Sequence, residues 1–315
     1  MEMTHETREW LLSAPEPYIR YNAQRCVDPE HADRSLLDDD PFVIETIAAI
    51  RDWAGTVVTR HDKPDLFFHQ LAMLADLGVT LETAGIRPIV EDLLSKFTDE
   101  GTFLIPILIP PFMGGTGETT HDWVICDLPV TVFALLEMGV KDPRLDRAVA
   151  RIEELAGEEY YPCCGSIPGF KGPGPKNGLC PYANLLVARA LGASLRARGS
   201  DAAKRAAEAV LGLWTLRKEK KPFLFAMGTD FQKLKFPRVW YNILHVVSAL
   251  GRIDGVTTDP RYLEMAQVLA GKLDADGRAT PGSLYMAYKS HEWSNKKEPS
   301  RLMTTQVHRA LAELL

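Results

Sequence analysis

Four Leu/Ala-rich phrases, each closed by glycine, recur along this chain: LAMLADLG (71–78), FALLEMG (133–139), VARALG (187–192) and VVSALG (246–251). Their last residues, Gly78, Gly139, Gly192 and Gly251, are 61, 53 and 59 positions apart. A fifth phrase, VHRALAEL (307–314), follows without glycine. Glycine ends a helix because it tolerates the left-handed C′ conformation. Connectors with capping character come next: Lys141-Asp142-Pro143, Gly199-Ser200-Asp201 and Asp259-Pro260-Arg261. Proline in the first turn and a polar cap before it are helix start signals. They open amphipathic helices over 143–156, 201–217 and 260–273. A unit of one apolar and one charged helix, repeated every fifty to sixty residues or so, is a repeat architecture. Apolar helices buried on all sides form an inner ring, and charged helices with one wet face form an outer one. The expectation is an all-α protein, an α/α toroid of five helical hairpins around a central cavity. An open solenoid fits less well, because polar terminal caps are missing.

The toroid domain is expected over 41–315, behind a leader over 1–40 with a short helix near Thr7–Leu12. If the leader completes the circle, the hairpins number six. Asp38-Asp39-Asp40-Pro41 reads as the cap of the first domain helix rather than as a cation site. The start of the chain lacks a basic segment followed by an apolar one, so no secretory signal is read there. Together with five cysteines, an odd number, this predicts reduced thiols and a cytoplasmic protein. No apolar stretch approaches the length of a membrane span. FLIPILIPPF (103–112) is short and rich in proline; it is expected to be a buried loop or cavity wall. The net charge of −6 gives no reason to expect nucleic acid as a partner. GGTGETTHDW (114–123) has glycines, but no strand is expected beside it, so a dinucleotide-binding reading fails.

Loops after the charged helices share an acidic-glycine turn: Asp99-Glu100-Gly101-Thr102-Phe103, Asp274-Ala275-Asp276-Gly277-Arg278, and the degenerate Glu158-Glu159-Tyr160-Tyr161. Together with the hairpin period, these turns resemble those of the squalene cyclase and prenyltransferase β-subunit superfamily, whose members are α/α toroids. The D-x-D-D acid motif of the class II cyclases is missing, so the resemblance does not extend to that proton-initiated chemistry. It does imply a zinc ion at the cavity mouth, with ligands from a loop of this turn type and from the start of the next inner helix. Cys163 or Cys164 occupies such a loop. Cys180 opens the following apolar helix, and Cys126-Asp127 opens the one before. Cys126 lies 13 residues before its terminal glycine, Cys180 12 and His69 9, so parallel helices in register would bring them to one rim. Cys180, just ahead of Pro181, should cap its helix, where the dipole favours a thiolate.

The site expected is therefore zinc bound by Cys126, Cys163 or Cys164, and Cys180, with Asp127 or His69 beside them. His245, half-way down an apolar helix, and His69 are candidate proton carriers, because imidazole titrates near neutrality. Asp230 is a candidate acid or a partner for a lysine. The loop FAMGTDFQKLKFPR (225–238) offers Lys233, Lys235 and Arg238 as an anion clamp, with Trp240 and Tyr241 as substrate contacts. The resemblance implies a largely apolar, isoprenoid-like small molecule and transferase, isomerase or lyase chemistry. Two other readings stand beside it. One is a carbohydrate-active (α/α) barrel using Asp127 and Asp230 as its two carboxylates. The other is a non-catalytic small-molecule scaffold.

Overall fold

A computed structural model describes residues 3–172, 178–219, 226–312 and 314. Among them are twelve α-helices: α1 (His5–Leu12), α2 (Pro17–Val27), α3 (Pro41–Ala49), α4 (Phe67–Asp76), α5 (Ile86–Ser95), α6 (Leu128–Glu137), α7 (Pro143–Glu154), α8 (Pro181–Ala193), α9 (Asp201–Thr215), α10 (Ile243–Leu250), α11 (Pro260–Ala270) and α12 (Arg301–Ala312). The protein is thus mainly α-helical. The described residues also hold one two-stranded antiparallel sheet, β1 (Ile105–Leu108) with β2 (Thr119–Asp122). This strand pair corrects the reading of 103–112 as irregular loop and of 114–123 as lacking a strand. Ile105, Pro106 and Ile107 of β1 are buried, and the stretch with glycines between the strands forms the hairpin connection. Phe225, first of the loop at 225–238, lies outside the described residues.

The even-numbered helices are the buried ones. Every residue from Leu128 to Leu135 of α6 is buried, as is Pro181–Gly192 of α8. Val130, Thr131 and Val132 are poor helix formers, but burying a large apolar side chain contributes about 1.5–3 kcal/mol. That exceeds the few tenths lost to propensity at each residue. α4 packs on α6, α6 on α8, α8 on α10, α10 on α12, and α12 on α2. Asn22 of α2 in turn donates to the carbonyl of Leu77, the residue that follows α4, at 2.9 Å. The charged helices lie outside: α7 against α6 and α8, α9 against α8 and α11, α11 against α10 and α12. α4 and α8 run the same way. Tyr182 at the start of α8 lies beside His69 in the first turn of α4, and Arg189 further along α8 meets Asp76, its last residue.

The caps follow the sequence. Asp40 accepts from Val43 N–H, Asp142 from Arg144, Ser200 from Ala203 and Asp259 from Arg261. Two glycines of the repeat phrase serve a purpose other than the expected one. Gly78 and Gly139 have the left-handed backbone, with φ of 89° and 79°. Gly192 instead lies inside α8, and Gly251 stays right-handed with φ of −58°. At Gly192 a Cβ would stand 3.1 Å from Arg252 Cβ, so the residue permits close packing rather than a turn. The leader is also more structured than expected. α2 was not anticipated, and it buries Tyr18, Ile19 and Ala23.

Candidate functional site

Three separate stretches bring thiols together where α6 and α8 begin. Cys180 is the N-cap of α8, its sulfur accepting Ala183 N–H at 3.4 Å, with Pro181 next. Cys163 donates a hydrogen bond to the Cys180 sulfur. That bond, followed by the helix N–H groups, lowers the Cys180 pKa against the cost of burial. The same shared proton raises Cys163. Burial raises Cys126, and the neighbouring Cys180, Asp127 and Cys164 reinforce the effect. Burial also pushes Cys164 up to about 11. Cys180 is thus the thiol of this group poised as thiolate.

The loop carrying Cys163 and Cys164 is stitched down on both sides. Asn184 of α8 accepts Tyr161 N–H and donates to the carbonyls of Tyr161 and Cys180, all within 2.9 Å. Ile125 N–H donates to Cys164 carbonyl at 2.9 Å, ahead of α6. Gly172 returns against the cluster so closely that a Cβ there would stand 2.3 Å from Cys163 Sγ.

Asp127 is fully buried beside Cys126 and accepts Val124 N–H. His61 Nε2 stands 3.4 Å from its carboxylate, close enough for charge attraction but outside hydrogen-bond geometry. Burial raises the Asp127 pKa, and His61 pulls it the other way. His61 was not singled out in the sequence; its signal is the polar segment TRHD just ahead of an apolar helix. His69 lies deeper. Its Nε2 is 2.7 Å from His61 carbonyl and 3.5 Å from Tyr182 hydroxyl. Burial pushes its pKa down to about 3, so the ring is neutral with the proton on Nε2. His245 corrects an expectation of position. Asn242 caps α10 by accepting His245 N–H, which puts His245 in the first turn rather than half-way along. Its Nδ1 meets Trp240 carbonyl at 3.2 Å, and its pKa is well below the ordinary value, through burial first and then Arg189 and Arg238.

The expected anion clamp is dispersed. Lys233 pairs with Asp230, whose side chain is 90% exposed. Lys235 stands 3.5 Å over the ring of Tyr285. Arg238 turns inward to Asp76 at 2.6 Å. Asp230 is therefore a surface partner of Lys233. A buried Asp127 and a solvated Asp230 do not make the opposed carboxylates a glycosidase needs. Trp240 packs tilted against Tyr182 with ring centres 4.8 Å apart, and Tyr241 is buried against Phe231.

The donor types at the thiol rim suit zinc, which takes thiolate, imidazole and carboxylate ligands. Among the described residues, however, no three or more His, Cys, Asp or Glu side chains form a group arranged to hold a metal ion. The thiols are gathered, not yet in ligating geometry.

A second polar centre lies near the other ends of these helices. The Asp76 carboxylate is held by Arg189 of α8 and by Arg238, and the Arg189 guanidinium lies 3.8 Å from the ring centre of Phe133 on α6. Burial opposes ionisation of Asp76, but the two arginines prevail and hold its pKa below the usual carboxylate value. Neither Asp76 nor Arg189 was read as a site residue. Their signal is one charge in each of two otherwise apolar phrases. No helix among the described residues is long and apolar enough to cross a membrane. Compared with known families and with curated proteins, the chain matches no family model and no curated sequence.

Proposed function

We propose that the helices close into a ring of six hairpins, with α2, α4, α6, α8, α10 and α12 inside, and that the ring is an enzyme acting on a small molecule at its thiol-lined end. Closure is supported by the succession of packed inner helices, which returns from α12 through α2 to the end of α4. The leader then contributes the sixth hairpin, as the toroids of the cyclase and prenyltransferase superfamily require. Transferase, isomerase or lyase chemistry remains the proposed class.

The observation that carries the chemical half is the meeting of Cys126, Cys163, Cys164 and Cys180, drawn from stretches up to 54 residues apart. Zinc is the cofactor that these donors suit in kind. Cys126, Cys163 and Cys180 would hold it, with Asp127 or Cys164 adjacent. A bound zinc supplies charge for polarising an oxygen or activating a nucleophile. Asn184 keeps the cysteine loop on α8, and Asp127 brings negative charge beside Cys126. His69 and His245, the proposed proton carriers, each keep one ring nitrogen without a hydrogen-bond partner among the described residues, but burial holds both rings neutral and opposes their taking up a proton. A largely apolar, isoprenoid-like substrate rests on the resemblance alone. The cavity between the inner helices, about 70 Å³, is lined by arginines and carboxylates.

Metal analysis of the purified chain is the test. About one zinc per chain, lost in Cys126→Ser and in Cys180→Ser, is the expected result. Zinc far below one per chain, with every thiol open to alkylation, would sink the metal. A second reading then gains: Cys180 as a nucleophile in its own right. The hydrogen bond from Cys163 and the helix N–H groups favour it.

A further inference from the structure

The polar cavity at the C-terminal halves of the inner helices carries an imbalance of charge. Arg189, Arg238, Arg252 and Arg309 line it, against Asp76 and Glu137. Four positive groups and two negative ones leave an excess of two. The pairings are explicit. Asp76 is shared between Arg189 and Arg238, and Glu137 pairs with Arg252 at 2.7 Å. Arg309 has no carboxylate partner among the described residues; its Nη1 reaches only the Asp76 carbonyl, at 3.3 Å. Two more groups line the same space. Ser248 Oγ and Gln306 Nε2 belong to residues only 7% and 2% exposed, and neither atom has a hydrogen-bond partner among the described residues. An unpaired buried amide and an uncompensated, partly buried cation are both costly.

We propose that this cavity is a binding site for a small oxyanion group, a carboxylate or a phosphate, held by Arg309, Gln306 and Ser248. One negative group satisfies all three at once. Arg309 supplies charge and a planar fork of donors, Gln306 an amide N–H, and Ser248 a hydroxyl. A cation is excluded by the surplus of guanidinium groups. Burial, then the neighbouring Arg25 and Arg238, push the Arg309 pKa down to about 10; a bound anion would relieve that pressure. Size restricts the ligand further. One water needs about 10–15 Å³ of such space, so a cavity of about 70 Å³ admits a phosphate or carboxylate group but not a sugar ring or base.

Arg309 also lines a wider groove of about 660 Å³, together with Arg25, Val27, Leu263 and Leu311. The oxyanion is therefore either a free ion or the head of a molecule whose apolar part follows that groove. This site is distinct from the thiol rim and does not rest on the reading proposed there.

The test uses the full chain with two probes, inorganic phosphate and hexyl phosphate, titrated by calorimetry and by thermal shift against chloride of equal ionic strength. Saturable binding of either probe, weakened at least tenfold in Arg309→Met and in Gln306→Glu, is expected. Phosphate alone sufficing identifies a free ion, and binding only of the hexyl ester identifies a headed amphiphile. Gln306→Glu keeps the shape but replaces the amide donor by a carboxylate that repels the anion, and unchanged helical circular dichroism certifies that each variant is folded. Binding of neither probe, or binding that both variants retain in full, overturns the proposal.

Discussion

Arg189 and Asp76 are 113 residues apart in sequence, yet both carboxylate oxygens of Asp76 lie within 2.7 Å of one guanidinium nitrogen of Arg189. Both side chains are buried, and Arg238 adds a second guanidinium. Asp76→Ala strands the buried Arg189 and the partly buried Arg238, a loss of about 3–5 kcal/mol. Urea denaturation should register it as a lower midpoint with an unchanged slope. Asp76→Leu combined with Arg189→Met should cost less than the two single changes added, since Arg189 then leaves no buried charge behind and only Arg238 loses its carboxylate. Additive losses would argue that the pair is not coupled.

Asn184 makes the thiol site depend on one amide. Asn184→Leu leaves Tyr161 N–H and carbonyl without this partner, while the Cys180 carbonyl keeps the backbone N–H of residue 184. A destabilisation of about 2–3 kcal/mol is expected. Iodoacetamide should also modify Cys163 and Cys180 faster in the native variant than in the wild type. Unchanged alkylation rates would mean that the loop is held by other contacts.

The seam between α2 and α4 rests on Asn22, which donates to both Tyr18 and Leu77 carbonyls. Asn22→Ala should cost about 1–3 kcal/mol through the unpaired carbonyl. Hydrogen exchange should rise in α2 and at the end of α4 together. Exchange that rises in α2 alone would count against closure of the ring at this point.

His245 gives a pH dependence whose sign can be worked out. Its folded pKa lies below the unfolded value, through burial and then through Arg189, Arg238 and His69. The unfolded state therefore binds the proton first, near pH 6.5, and stability is full above that pH and falls below it. The slope is about 1.4 kcal/mol per pH unit for one such group. His245→Phe should remove that share of the acid slope between pH 6 and 4.5 while other groups, His69 among them, keep theirs. Identical slopes in both proteins would show that His245 is protonated when folded.

The repeat phrases made the alternation of buried and wet helices legible, because burial on all sides demands unbroken apolar sequence and the caps are local. The meeting of Cys126 and Cys180 was legible because equal distance from a common helix end becomes equal depth once helices are parallel; Cys163, on a loop, was placed beside them only by the resemblance of its turn. What stayed hidden is non-local. Asp76 and Arg189 each look like a stray charge until the other is known. His61 sits in a polar run whose path over Asp127 no periodicity encodes. Arg238 was grouped with Lys233 and Lys235 by adjacency in sequence. The side chains diverge, because Asp76 attracts the residue that can present a planar fork, while a lysine settles on Tyr285 or at the surface. α2 escaped notice because its eleven residues are mixed in polarity and it precedes the first repeat phrase.

The packing of α2 against α12 joins the beginning of this sequence to its far end. During synthesis the apolar side of α2, with Tyr18, Ile19 and Ala23, leaves the ribosome some 270 residues before its partner exists. At about 5–20 residues per second, that interval lasts tens of seconds. The nascent chain thus carries a sticky surface through most of translation. Its yield should depend on holdase chaperones more than that of a helical protein whose neighbours in space are neighbours in time.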